Sequence, residues 1–187
     1  MGRVEILVEE LSMEVCLRNL LPMIVPSHWV LDVNYFIRPH QGKSDLRKSI
    51  PAKMQVFSNW HEPISVIILH DQDSADCKIL KQQIKLLCGS FSKGLLIRII
   101  CKELESWYLG DLLAIEKAFP SFKSTSYISR AKFRNPDRLN AKDQLKDIFP
   151  DYREVSSSRE ISKFLDVNNN RSESFNQFIK GIRKIFV

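Results

Sequence analysis

The sequence predicts an α/β fold: a central parallel sheet flanked by helices, followed by a mostly helical, basic C-terminal part. Three observations carry this. The run ISVIIL (residues 64–69) is apolar at five of six positions and rich in β-branched residues, as in a short strand buried on both faces. LLIRII (Leu95–Ile100) has the same character. Between them Cys77, Leu80, Ile84, Leu87 and Cys88 recur at helical spacing, so the two strands are joined by a helix, as parallel neighbours require.

The other elements follow in order. Residues 4–8 (VEILV) read as the first strand, ending at Glu9-Glu10. Ser12 is expected to cap a helix carrying Met13, Leu17, Leu20 and Leu21, stopped by Pro22. Residues 29–37 (WVLDVNYFI) are a strand candidate with Asp32 and Asn34 alternating outward. Residues 38–49 read as a polar, basic loop. Its Gly42-Lys43-Ser44 resembles the end of a P-loop, but Ile37 stands where the first glycine is required, so an ATP site is rejected. Residues 53–60 are expected to be helical. After the 64–69 strand, apolar character stops at His70-Asp71-Gln72-Asp73, and Ser74 is the expected cap of the next helix, which Gly89 and Ser90 end. Beyond residue 100 come Glu103, Glu105 and a helix to about Phe119, closed by Pro120. Residues 121–140 lack periodicity and read as a long basic loop. Residues 141–149 form a short helix, and Ser157 and Glu160 have capping-box spacing before Ile161, Phe164 and Leu165. Asn168 to Asn170 read as a turn. A last helix presents Phe175, Phe178, Ile179, Ile182, Ile185 and Phe186 as one stripe and docks on the core.

With 187 residues, 44% of them hydrophobic, the chain suits one α/β core over residues 1–120 with an appended part, 121–187, packing on it. There is no charged-then-apolar leader and no apolar run of bilayer length, so a cytoplasmic protein without membrane contact is expected. Cys16, Cys77, Cys88 and Cys101 lack CxxC spacing and read as reduced thiols rather than a zinc site or disulfide framework. Residues 1–120 balance fourteen basic against fourteen acidic side chains. Residues 121–187 hold fourteen against eight, which accounts for the whole net charge of +6. A neutral front with clustered acids and a basic back suits a metal and a phosphodiester, though a solubilising surface has the same composition.

Three strand ends carry acids: Glu9, then Asp71 and Asp73, then Glu103 and Glu105. In a parallel sheet those ends share one edge, the edge where ligands bind in open α/β folds. Like charges so gathered repel, and a divalent cation is the usual remedy. Helix capping and a solvated edge are the competing roles.

These residues also form motifs. Val8-Glu9 with Ser12 and Glu14, His40-Gln41-Gly42-Lys43, His70-Asp71-Gln72-Asp73 with Cys77 nearby, and Glu103 to Asp111 (ELESWYLGD) together resemble the Toprim domain. More narrowly they are similar to a bacterial Toprim-like family of unknown function, over about residues 4–111. The resemblance implies a Toprim-like, Rossmannoid sheet and Mg²⁺- or Mn²⁺-dependent phosphodiester chemistry, as in topoisomerases, primases and nucleases of the overcoming-lysogenisation type. It makes Glu9 an acid, base or metal ligand, gives Asp71 and Asp73 to the metal, and completes the site with Glu105 or Glu103. It further implies a nucleic acid substrate and an ATPase partner, in a setting such as an anti-phage or toxin-like system. Glu10 stands where that family has glycine, which adds bulk and charge at a turn. Arg38, His40 and Lys43 are candidates for gripping phosphate. Arg130, Lys132, Arg134, Arg138 and Lys142 are candidates for following a nucleic-acid backbone, or form a solvated basic face. His70 is expected to make a structural hydrogen bond and Trp107 to lie in the core. The competing functions are a catalytically inactive interaction subunit and a receiver-like domain with Asp71 as phosphoacceptor. Against the receiver, nothing in residues 95–111 supplies the expected hydroxyl-and-lysine switch, and a second acid at Asp73 is unexplained.

Overall fold

The structure, a computed structural model, describes residues 2–91 and 94–187. Strands and helices alternate as β1 (Arg3–Val8), α1 (Leu11–Leu20), β2 (Tyr35–Pro39), α2 (Lys43–Ser58), β3 (Ile64–Asp71), α3 (Cys77–Leu87) and β4 (Leu95–Ile100). The strands form one sheet in the order β2-β1-β3-β4, with every pairing parallel. The rest is helical: α4 (Glu105–Leu109), α5 (Leu112–Ala118), α6 (Thr125–Ile128), α7 (Ala141–Ile148), α8 (Glu154–Ile161) and α9 (Glu173–Ile185), with short 3₁₀ turns between. Among the described residues no helix is long and apolar enough to cross a membrane.

Strand alternation divides the core in two. Leu7, Val66, Ile68 and Ile97 face α2 and α3, packing on Leu46, Ile50, Met54, Leu80 and Ile84. Val4, Ile6, Val8, Ile67 and Leu69 face the other way, onto α1 and the C-terminal helices. The chain steps one way from β1 to β2 through α1, then back across β1 to β3 through α2. Right-handed crossovers in opposite directions put those helices on opposite faces. The larger cluster runs without a break from Val4 to Phe186, so residues 121–187 share the core of the sheet. Trp107 is its anchor, with its ring against Phe175 and Phe178 at centroid distances of 5.2 and 4.9 Å and its Nε1–H on the Ser174 hydroxyl.

Several elements differ from the sequence reading. The second strand is only Tyr35–Pro39. Ahead of it the Asn34 side chain accepts from Val30 N and donates to the His28 carbonyl, and Asp32 takes a left-handed φ of 62°. Local Asn and Asp turn chemistry there overrides β propensity. The expected loop 38–49 contains the start of α2, with Gly42 at φ 88° as its turn and Leu46, Ile50 and Met54 as its buried stripe. Pro51 inside that helix had masked the periodicity. Helix α1 begins beyond Glu10, and Ser12 lies within it. Helix α3 is capped by Asp76, whose carboxylate accepts from Lys78 N and Ile79 N, and not by Ser74. Helix α8 starts at Glu154, so Ser157 and Glu160 lie inside it; Ser158, beside them, is buried and bonded to the Ser12 carbonyl. The 121–140 segment is folded into α6 and two 3₁₀ turns around buried Phe122, Phe133 and Pro136.

Because α9 is part of the sheet's own core, Phe178→Ala is expected to destabilise the whole chain by about 3–5 kcal/mol. A single cooperative denaturant transition at lower midpoint would bear this out. A separate early transition of the C-terminal helices would contradict it.

Candidate functional site

The sheet changes direction between β1 and β3: the chain leaves β1 towards β2 on one side, and β3 towards β4 on the other. At such a switch point the two following loops part and leave a crevice beyond the carboxyl ends of the strands. Register pairs Val8 with Leu69, so Glu9 and Asp71 emerge there together. A Glu9 carboxylate oxygen accepts from the Asp71 backbone N–H at 3.3 Å and lies 3.1 Å from His70 Nδ1. The buried His70 ring has its pKa lowered by burial, so it is neutral, and Nδ1 also bonds the Asp71 carbonyl. That is the structural role expected for it. Asp71 is 8% exposed, and its Oδ1 is buried with no hydrogen-bond partner. Glu105, 2% exposed, enters from the first turn of α4, and Tyr152 donates to it at 2.9 Å.

These carboxyls sense one another. Burial pushes Glu9 up to about 7, with Asp73 and Glu10 adding to it and the Asp71 N–H and Lys43 opposing. Asp71 is raised well above the usual carboxylate range, by burial first and then by Glu9, Glu105, Glu10 and Asp73. Burial likewise raises Glu105 to about 7 against the pull of Lys142 and Tyr152. Perturbed carboxyls converging in a crevice are the mark of a functional site.

Lysines ring the acids. Lys43, at the first turn of α2, pairs with Asp73 at 2.7 Å. Lys142 meets Glu154 at 3.2 Å, and its backbone N–H donates to Glu103 at 2.7 Å. Burial works against the Lys142 ammonium, but Glu105, Glu154 and Glu10 outweigh it and hold its pKa above the ordinary lysine value. Lys102 Nζ donates to Asn140 at 2.9 Å. Asp73 and Lys102 are both left-handed, at φ 52° and 57°, and Asp73 N–H donates to the Lys102 carbonyl at 2.8 Å. Left-handed backbone at non-glycine residues is costly, and such strain gathers at functional sites.

Of the residues singled out from the sequence, Glu9, Asp71, Asp73 and Lys43 therefore lie together beyond the ends of β1 and β3, and Glu105 is near enough to add to the raised pKa of Asp71. Arg38 instead pairs with buried Glu5 at 3.0 Å, and His40 is held between the Val8 carbonyl and the Ser49 hydroxyl, each at 2.8 Å. Arg130, just before the 3₁₀ turn Ala131–Arg134, and Lys132 and Arg134 within it are exposed, with Arg130 over the Tyr127 ring and Lys132 bonded to Gln144. Glu10 is extended, at φ −151°, a backbone open to any residue, so the turn needs no glycine. Among the described residues, no three His, Cys, Asp or Glu side chains stand as a ready-made metal site. Sequence reasoning missed Tyr152 and Glu154, and had read Lys142 only as a backbone-tracking cation. No strand end marks them, and only the packing of α7 and α8 brings them in.

A family model described as a domain of unknown function (DUF4276) matches residues 8–183. No curated protein and no solved structure matches the chain.

The electrostatics set a pH dependence. Unfolded, Glu105 ionises near 4.5; folded, it keeps its proton to about 7. Between those values the unfolded chain binds fewer protons, so stability falls as pH rises and stays lower above 7. Glu105→Gln is expected to match wild type at pH 5 and to exceed it at pH 8 by roughly 1–3 kcal/mol, without divalent ions. Parallel denaturant titrations at the two pH values check this, and equal stability at pH 8 would refute it.

Proposed function

The chain belongs to the DUF4276 family, a domain of unknown function, and from its site we propose that it cleaves phosphodiester bonds of nucleic acid with a divalent metal ion, in the manner of Toprim nucleases. The observation that carries this is the buried, unpartnered Asp71 carboxylate oxygen beside Glu9 at the switch point of the sheet. An acid so placed lacks the cation or proton that its burial calls for. The donor set, hard carboxylate oxygens alone, fits Mg²⁺ or Mn²⁺. Asp71, Asp73 and Glu9 would hold the ion, with Glu105 completing the set. The ion supplies charge neutralisation at phosphate and an activated water.

The chain's own residues do the rest. Glu9, with a pKa near neutrality, is suited to take or return a proton. Lys43, now spent on Asp73, becomes available to a phosphate oxygen once that carboxylate is engaged. Lys102 and Lys142 extend the cationic rim, and the exposed Arg130, Lys132 and Arg134 continue it along the backbone of a bound strand. An effector role in an anti-phage or toxin-like system, beside an ATPase, is the setting that the resemblance to Toprim nucleases supports.

A second reading, an inactive Toprim-like interaction subunit of an ATPase complex, is favoured by a different observation. Asp73, Glu103 and Glu105 already have protein partners in Lys43, Lys142 N and Tyr152. The two readings part on Asp71→Asn. For a nuclease, Mg²⁺ or Mn²⁺ raises the wild-type melting temperature, and the substitution abolishes that rise. Cleavage of plasmid, single-stranded DNA or tRNA then falls by roughly two orders of magnitude or more, while stability without metal holds or improves. Wild type that neither binds metal nor cleaves, even with its ATPase partner, would leave the interaction subunit standing.

A further inference from the structure

Two thiols stand beside the acidic crevice, outside the carboxylate set. Cys77 is the first residue of α3, and Cys101 is the first residue after β4. Both are half-buried, whereas Cys16 and Cys88 are fully buried. The loops that carry them are stitched together. Gln72 N–H donates to the Ile100 carbonyl at 2.9 Å, Asp73 N–H to the Lys102 carbonyl at 2.8 Å, and Lys102 N–H to the Gln72 side-chain oxygen at 3.3 Å. Helix α3 is the crossover between two parallel strands, so it runs back antiparallel to them and packs on β4. Its first turn, with Cys77, thus stands at the edge where β4 ends and Cys101 begins. Burial first, then Asp137 and Cys77, raise the Cys101 pKa.

We propose that Cys77 and Cys101 form a reversible intramolecular disulfide that clamps the β3–α3 loop to the turn after β4. These are the loops that carry Asp73 and Glu103, and the left-handed pair Asp73 and Lys102 flanks the two cysteines along the chain, four residues before Cys77 and one after Cys101. A bond there holds the strained pair in place, and its reduction frees both loops. The oxidant is a hydroperoxide such as hydrogen peroxide. One thiolate sulfur attacks a peroxide oxygen, the O–O bond breaks, and a water leaves a sulfenic acid behind. The second sulfur attacks the first, the S–O bond breaks, and a second water departs. Two thiols lose two electrons, which the peroxide takes up; a dithiol reverses the change. Cys16 and Cys88, out of reach of solvent, stay reduced.

The test uses the full chain without metal or substrate, so its outcome does not depend on the nuclease reading. After brief hydrogen peroxide treatment, alkylation and peptide mass mapping, free thiols are expected to fall from the four in the sequence to two. The peptides holding Cys77 and Cys101 should be linked within one chain, and dithiothreitol should restore them. Cys77→Ser and Cys101→Ser should each remove the link and leave the melting temperature of the reduced protein in place. Amide exchange over residues 72–76 and 101–104 should slow on oxidation in wild type only. Four free thiols after treatment, a link between chains, or a link that includes Cys16 or Cys88 would overturn the disulfide. A Cys77–Cys101 link with unchanged exchange in those loops would overturn the clamp.

Discussion

The parallel pairing of β1 with β3 is the constraint on which the rest of the molecule depends. Only because these two strands are neighbours, with the chain departing in opposite directions, does a crevice open where both end. Register then places Glu9 against the backbone of Asp71, sixty-two residues away. Both carboxyls are buried by the fold, Asp71 is further disfavoured by Glu9, and Glu9 by Asp73 and Glu10, so both are held above their ordinary pKa. Folding thus gathers charge that neither strand would concentrate alone, and the surrounding lysines are a local response to that gathering.

The C-terminal part is tied into this arrangement twice. Its apolar faces fill the side of the sheet that α1 leaves open, with Trp107 meeting Phe175 and Phe178. Its polar faces reach the crevice, through Tyr152 on Glu105 and Lys142 on Glu154 and Glu103. The basic charge that composition assigns to residues 121–187 is therefore delivered in part to the acids of residues 1–120. What remains on the surface, at Arg130, Lys132 and Arg134, is continuous in sequence with the segment that ends at Lys142.

Backbone strain follows the same geography. Asp73 and Lys102 are left-handed at the ends of β3 and β4, and the hydrogen bond between them joins the two loops. The third left-handed non-glycine residue among the described residues, Asp32, lies in the turn before β2, where its carboxylate pairs with Arg18 at 2.8 Å. Glu10, in the turn after β1, is by contrast unstrained. Its carboxylate accepts from the Ser12 hydroxyl and adds to the charge that raises Asp71, so Glu10 acts on the electrostatics of the site and not on its backbone.

From residues alone, β1, β3 and β4 could be placed within two positions, because short continuous apolar runs suit strands of a parallel sheet covered on both faces, although β4 lies at the edge of the sheet and not in its middle. The same runs end in Glu9, Asp71, Asp73 and Glu105, so the acidic half of the site was legible as soon as the sheet was. Elements whose signals are local and mixed were not. Pro51 broke the stripe of α2, the Asn34 side chain captured backbone that looked like strand, and buried serines made α8 look polar. Tertiary structure alone decided the partners of the acids. Lys43, Lys142 and Tyr152 reach them across folded distances of thirty residues or more, and long-range packing leaves no periodic trace in the sequence.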